Sequence, residues 1–367
     1  MGASGRQAES PAGPSDPRAG SAADLAPEAM VQRLRAFLAH EKGASESAVR
    51  VEGLERLAGG SSREIWAFRV AWPEGGAERR AELVMRRDPP GRSDESAREL
   101  EMRVLRTARE AGVLAPAVHG GSNDPAWLGT PFYLMERVEG EALPGRLLRE
   151  PRYAKARERL PAQLGAVAAR LHAVDPDHPD LAGLEDTAAA GSPALVELES
   201  LATGIRELAP EPHPVLELAL RWLRPRVPST PRRGLVHGDF RLGNLLVDEQ
   251  GVRAVLDWEL AKIGDPVEDL GWLCTKAWRF GGEQPVAGLA SRETLLEAYA
   301  EAGGSRVDPA ELHFWEALGS FKVAYVFIRQ AWVHLSGRAP SLELASLGRR
   351  TAEAEAELLR LMEEDAP

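Results

Sequence analysis

The sequence predicts an α+β protein of two lobes: an antiparallel sheet with a helix up to about residue 138, then a mainly helical region carrying one short hairpin. Three observations lead there. Between residues 50 and 138, short apolar runs alternate in period two and are separated by Gly-containing turns. From about residue 144 the apolar residues switch to a period near 3.6. Within that helical region one stretch, Leu235–Glu259, returns to strand, polar loop, strand, turn and strand.

Taken in order, residues 1–26 mix Gly, Ala, Ser and Pro with charges and read as a disordered tail. Residues 27–138 form the first lobe and 139–367 the second. Glu28–His40 has Met30, Leu34, Phe37 and Leu38 at helical spacing. Val51–Leu57 reads as a strand leading into Gly59-Gly60-Ser61-Ser62, and Glu64–Val70 alternates as the next. Such a turn can present backbone N–H groups to phosphates, although Gly-Gly-Ser is also a common hairpin turn. Glu82–Arg86 is a strand, and Asp94–Gly112 is a helix with Leu100, Val104, Leu105 and Ala108 on its apolar face. Pro131–Val138 is an apolar strand. Leu160, Leu164, Val167, Ala168 and Leu171 mark an amphipathic helix ending near His172, which reads as structural. A further helix covers Val215–Leu223. After the hairpin, Asp265-Pro266 opens another helix as N-cap and N1. One last helix spans Leu342–Met362, with Glu353, Glu355, Glu357, Glu363 and Glu364 along it and Asp365 just after.

Composition narrows the class. A length of 367 residues is enough for two packed cores. A net charge of −11 argues against general nucleic-acid binding. No stretch has the length of apolar sequence that a membrane span needs, and the N-terminus lacks a signal-peptide core. The single cysteine, Cys274, excludes an internal disulfide and reads as a packed thiol in an apolar helix. These features point to a cytoplasmic protein without membrane or nucleic-acid partners.

The hairpin carries the chemistry. Asp248-Glu249-Gln250-Gly251 is turn sequence, so Asn244, before the first strand, and Asp257, after the second, come together at one end. Asp239 lies five residues before Asn244 in the same loop. Two carboxylates and an amide at one mouth suit phosphoryl transfer. Mg²⁺ takes hard oxygens, which Asn244 and Asp257 supply, and Asp239 remains to accept a proton from an attacking hydroxyl. The protein-kinase catalytic loop has the same Asp-to-Asn spacing. A surface hairpin with ordinary turn residues explains any one of the three, but not the set.

HGDFRLGN followed by Asp257-Trp258-Glu259 resembles the aminoglycoside phosphotransferase superfamily of small-molecule kinases, whose fold is protein-kinase-like. The resemblance covers roughly residues 50–335. Met85-Arg86-Arg87-Asp88-Pro89-Pro90 is similar to kinase-like domains fused to some acyl-CoA dehydrogenases. It implies an ATP- and Mg²⁺-dependent transfer to a hydroxyl of a small molecule. Asp239 is then the catalytic base, and Asn244 and Asp257 are metal ligands. Gly59–Ser62 cover the phosphates. Arg86 stands where the pattern has Lys, a departure because the two cations are not interchangeable. Glu101 matches the carboxylate that pairs with that cation, with Glu99 as competitor. The Glu136 carbonyl and Val138 N–H match the adenine contacts, and His237 and Asp269 support the loop. Two acceptors stay open, an aminoglycoside-like polyamine or a hydroxyacyl compound; ten of the 21 aromatic residues, between Trp272 and Trp332, favour the second. A nucleotide-binding pseudokinase and a metal-dependent phosphohydrolase are the alternatives from other classes.

Overall fold

The computed structural model describes residues 25–57, 64–88, 95–230 and 232–364. The Gly59–Ser62 turn and Asp365 lie outside the described residues. The chain divides into two compact units, with one boundary in sequence between Arg137 and Val138 and residues 99–117 grouped with the second unit.

The first unit starts with helix α1 (Pro27–Lys42) and continues through strands β1 (Arg50–Arg56), β2 (Glu64–Glu74) and β3 (Ala77–Arg87). Helix α2 (Glu95–Glu110) crosses the unit boundary. Strand β4 (Val118–Ser122), the one-turn helix α3 (Pro125–Leu128) and strand β5 (Phe132–Glu136) complete it. The sheet is antiparallel in the order β1-β2-β3-β5-β4. Alternation sends Leu83 and Met85 to the same face as Phe132 and Leu134, and α1 lays Met30, Leu34, Phe37 and Leu38 on it. The Phe37 ring meets Phe132 edge-on at 4.8 Å. Arg87 belongs to this face too: it donates to Glu64 at 2.9 Å and to the Leu128 carbonyl at 3.1 Å. Arg86, one residue earlier, therefore projects from the opposite face, its guanidinium 5.9 Å from the Tyr133 ring centroid.

The second unit is helical apart from two small ladders. Its elements before the loop are α4 (Pro144–Arg149), α5 (Ala154–His172), α6 (Pro193–Leu208) and α7 (Pro214–Leu223). Strands β6 (Gly234–Val236), β7 (Leu245–Asp248), β8 (Gly251–Val255) and β9 (Lys262–Gly264) follow, then α8 (Val267–Cys274), α9 (Arg292–Glu301), α10 (Pro309–Leu335), α11 (Leu342–Arg349) and α12 (Thr351–Glu363). β7 pairs with β8, and β6 with β9. The 27-residue α10 is the spine against which α6, α7, α8, α11 and α12 pack. The last helix expected from sequence is two helices, broken at Arg350. Cys274 is fully buried, and burial pushes its thiol well above the ordinary range.

Two backbone contacts tie sequence-distant segments to the hairpin. Glu141 exchanges hydrogen bonds with Val247 at 2.8 and 3.0 Å, a single antiparallel bridge that fastens the chain just past the unit boundary to β7. The Leu114 carbonyl accepts the Val255 N–H at 2.6 Å, a reason that residues 99–117 group with this unit. Among the described residues, no helix is long and apolar enough to cross a membrane.

Candidate active site

The loop between β6 and β7 is built on Asp269, in the first turn of α8. This carboxylate, fully buried, accepts the backbone N–H of His237 at 2.8 Å and of Gly238 at 2.9 Å. His172, at the end of α5, adds its Nε2 at 3.1 Å and is held in turn by the Tyr299 hydroxyl at 2.9 Å. Burial works to raise the Asp269 carboxyl, but these donors, led by His172, hold it below its ordinary value. Gly238 is required twice over. Its φ is +80°, and a Cβ there would lie 2.4 Å from the Leu260 carbonyl.

His237 closes the loop from the other side. The Asp239 N–H can only donate, so Nδ1 accepts it at 3.2 Å, and Nε2 donates to the Leu256 carbonyl at 3.0 Å. Both ring nitrogens are thereby engaged in holding backbone.

Asp239 emerges from this frame with one carboxylate oxygen crowded. Its Oδ1 accepts from Trp272 Nε1 at 2.7 Å and from Arg241 Nε at 3.0 Å. Its Oδ2 accepts from Asn244 Nδ2 at 2.6 Å, and the same amide nitrogen reaches the Asp239 carbonyl at 3.0 Å. The two acceptors fix the amide orientation, leaving Asn244 Oδ1 as its outward oxygen. The Leu256 N–H donates to the Asn244 carbonyl at 2.8 Å, which sets Asp257 one residue beyond Asn244's partner. Asp257 itself adopts left-handed backbone, φ 68°, ψ 63°, an unusual state for a non-glycine residue and one that recurs at functional sites. The expected trio is thus at one end of the hairpin, with hard oxygens of the kind Mg²⁺ takes.

The other expected residues are distributed as follows. Arg86 and Glu136 sit on neighbouring strands of the first unit. Val138 opens the second. Glu101 is buried on α2 and Glu99 is exposed. Asp265 accepts the Val267 N–H at 3.0 Å and so caps α8. Sequence reasoning assigned no role to Arg241 and counted Trp272 only among the aromatics of the C-terminal lobe, not as a partner of Asp239. Arg241 stood two residues after Asp239 and could have been flagged; Trp272 is 33 residues away along the chain and needed the fold. Trp272 and Trp278 lie 5.2 Å apart, and the Arg241 guanidinium sits 4.6 Å over the Trp278 ring. Beyond Trp278 a cavity of about 890 Å³ is lined by Phe280, Val323, Phe327, Lys276 and Arg350 among others.

The model of the phosphotransferase enzyme family matches residues 53–315, more than two thirds of the chain, including Asp239, Asn244, Asp257 and Asp269. The chain belongs to that family. Phosphotransferases of this fold are also its structural neighbours. A protein from Ralstonia eutropha JMP134, provisionally designated an aminoglycoside phosphotransferase, superposes with a TM-score of 0.70 at 22% identity, over 91% of this chain and 98% of that one. The aminoglycoside phosphotransferase APH(4)-Ia, solved with ADP and hygromycin B, gives 0.52 at 18% identity, over 91% and 99%. Among curated proteins, mouse acyl-CoA dehydrogenase family member 10 is 31% identical over 297 residues, 76% of this chain and 27% of that protein. The chain spans about a third or less of the length of the curated relatives it matches first.

Proposed function

We propose that this phosphotransferase moves the γ-phosphoryl group of ATP to a hydroxyl of a small molecule. The observation that carries the reading is the Asp239–Asn244 pair. One amide holds the carboxylate through Nδ2 and turns Oδ1 outward, so base and metal ligand are oriented by a single contact of 2.6 Å. Asn244 Oδ1 and Asp257 would hold Mg²⁺, which when bound neutralises phosphate charge. Asp239 orients the acceptor hydroxyl and takes its proton as the oxygen bonds to phosphorus and ADP leaves. Arg86, with Glu101 as the carboxylate assigned to it, and the Gly59–Ser62 turn serve the phosphates; the Glu136 carbonyl and Val138 N–H serve the adenine. Catalysis is positioning and charge neutralisation, with little covalent work for the protein.

For the acceptor, a hydroxyacyl-type compound is favoured over a polyamine. Three of the C-terminal carboxylates that a polycation would need are paired within the chain. Glu353 meets Arg350 at 3.0 Å, Glu355 meets His213 at 2.9 Å, and Glu357 meets Lys276 at 3.1 Å and Arg360 at 2.6 Å. The cavity beyond Trp278, lined by Phe280, Val323 and Phe327 and by Glu283, Glu353 and Glu357, has an apolar wall for the body of such an acceptor. The phosphohydrolase alternative loses support, since His237, the histidine of the cluster, has both nitrogens committed to backbone. Arg86 in place of Lys keeps a second reading, nucleotide binding without turnover.

The test is transfer of label from Mg-ATP into a panel of hydroxyacyl-CoAs and aminoglycosides. Asp239→Asn is expected to lower turnover by roughly 10²–10⁴-fold while leaving nucleotide affinity in place. Label transfer that survives this substitution refutes the assignment; nucleotide binding with no transfer by the wild type selects the second reading.

A further inference from the structure

We infer that Trp272 and Arg241 are positioning residues that fix the plane of the Asp239 carboxylate, so that the oxygen they do not hold keeps an open position for the acceptor. The inference rests on the phosphotransfer reading and deepens it. An ionised carboxylate has about four acceptor positions, two per oxygen. Oδ1 receives Trp272 Nε1 at 2.7 Å and Arg241 Nε at 3.0 Å, which fills it. Among the described residues Oδ2 receives Asn244 Nδ2 alone, at 2.6 Å, so one position on Oδ2 is left for an incoming hydroxyl. The two Oδ1 donors are themselves fixed. Trp272 is almost wholly buried, with Lys322 Nζ 5.2 Å over its ring. Lys322 is anchored between Glu197 and Glu268, both at 3.2 Å. Arg241 is clamped on the Trp278 ring at 4.6 Å and lies against Gly243, where a Cβ would come within 2.3 Å of its Nη1. The carboxylate is therefore gripped by one oxygen and presented by the other. Turning the carboxylate plane about χ2 away from this setting would pull the oxygen off both donors at once, a movement the packing opposes, whereas a full half-turn only exchanges two equivalent oxygens.

Two variants separate this from a merely structural role. Site-specific replacement of Trp272 by its benzothiophene analogue keeps the ring and its packing but removes the N–H. Gly243→Ala pushes on the flexible end of Arg241 and leaves Trp272 untouched. Turnover is read as labelled phosphate moved from Mg-ATP to the acceptor or to water, with KM for ATP, thermal midpoint, and the Trp272 indole N–H resonance as independent readouts. Each variant is expected to lower kcat by about 10²-fold, the scale of a small misplacement at the reacting atoms, with KM for ATP and thermal midpoint unchanged. In wild type the Trp272 indole proton resonates downfield and moves upfield in Asp239→Asn. An unchanged kcat in both variants, with Asp239→Asn inactive, overturns the inference and leaves the phosphotransfer reading standing. A wild type that moves phosphate to neither acceptor nor water overturns both.

Discussion

Single residues decide the geometry of this site, and three of them were legible because they are local. Asp239, Asn244 and Asp257 sit on one loop and one hairpin, so spacing alone brings them together. Asp269 was also in reach, as the first-turn carboxylate of α8. Trp272 was not, because its use depends on where α8 lies against the loop. The Asp269 brace gives a direct prediction. Asp269→Ala leaves the N–H groups of His237 and Gly238 and the ring of His172 without their acceptor, at a cost of about 3–5 kcal/mol. Urea unfolding measures this; a loss within the range of an ordinary surface substitution contradicts the brace. Asp265 behaves differently. Burial pushes its carboxyl up to about 6 from 3.8. Between those values the folded chain binds more protons than the unfolded one, so stability falls as pH rises through that window, by about 3 kcal/mol in all. Asp265→Asn keeps an oxygen for the Val267 N–H and is expected to flatten the decline between pH 4 and 7. A parallel curve for the variant rules this out.

At the scale of elements, the sheet and α1 followed from period and turn residues, with strand ends a few residues off. β4 and α6 were not read. β4 is short and glycine-containing; α6 was legible, since Ala194, Leu198, Leu201, Ala202 and Ile205 repeat at the same helical spacing as the apolar face of α5, and it was passed over. The C-terminal break at Arg350 was hidden because α11 and α12 are both good helix sequence. Buried charge was equally invisible. Glu197 of α6, Lys262 of β9, Glu268 of α8 and Lys322 of α10 form a closed square with N–O distances of 2.8 to 3.2 Å. Burial opposes the charges of Glu197, Lys262 and Lys322. The two lysines nevertheless hold the Glu197 carboxyl down at about 2, and the two carboxylates raise both lysines. Lys262→Met is expected to cost about 3–5 kcal/mol, because two buried carboxylates then share one cation. The neutral pair Lys262→Met with Glu268→Leu is expected to recover most of it. Denaturant midpoints of the single and double variants check both; equal losses would deny the coupling.

For the whole molecule, the net charge of −11 looks on paper like an invitation to cations, and the structure distributes it otherwise. Carboxylates of α12 are spent on arginine, lysine and histidine of the same chain. Calorimetry with kanamycin at physiological salt is therefore expected to give no saturable heat, whereas hydroxyacyl compounds bind. Saturable polyamine binding would reverse the acceptor preference.

The pairing of Glu141 with Val247 has a consequence for this enzyme as a measuring device. Val138, assigned to the adenine end of the nucleotide, lies three residues before Glu141; Asn244, assigned to the phosphate end, lies three before Val247. The two contact points are therefore read off one cross-strand rung, as on a caliper whose jaws are riveted. A residue inserted between Glu141 and Val138 would shift the end assigned to adenine and leave the other in place, and one inserted between Val247 and Asn244 would do the reverse.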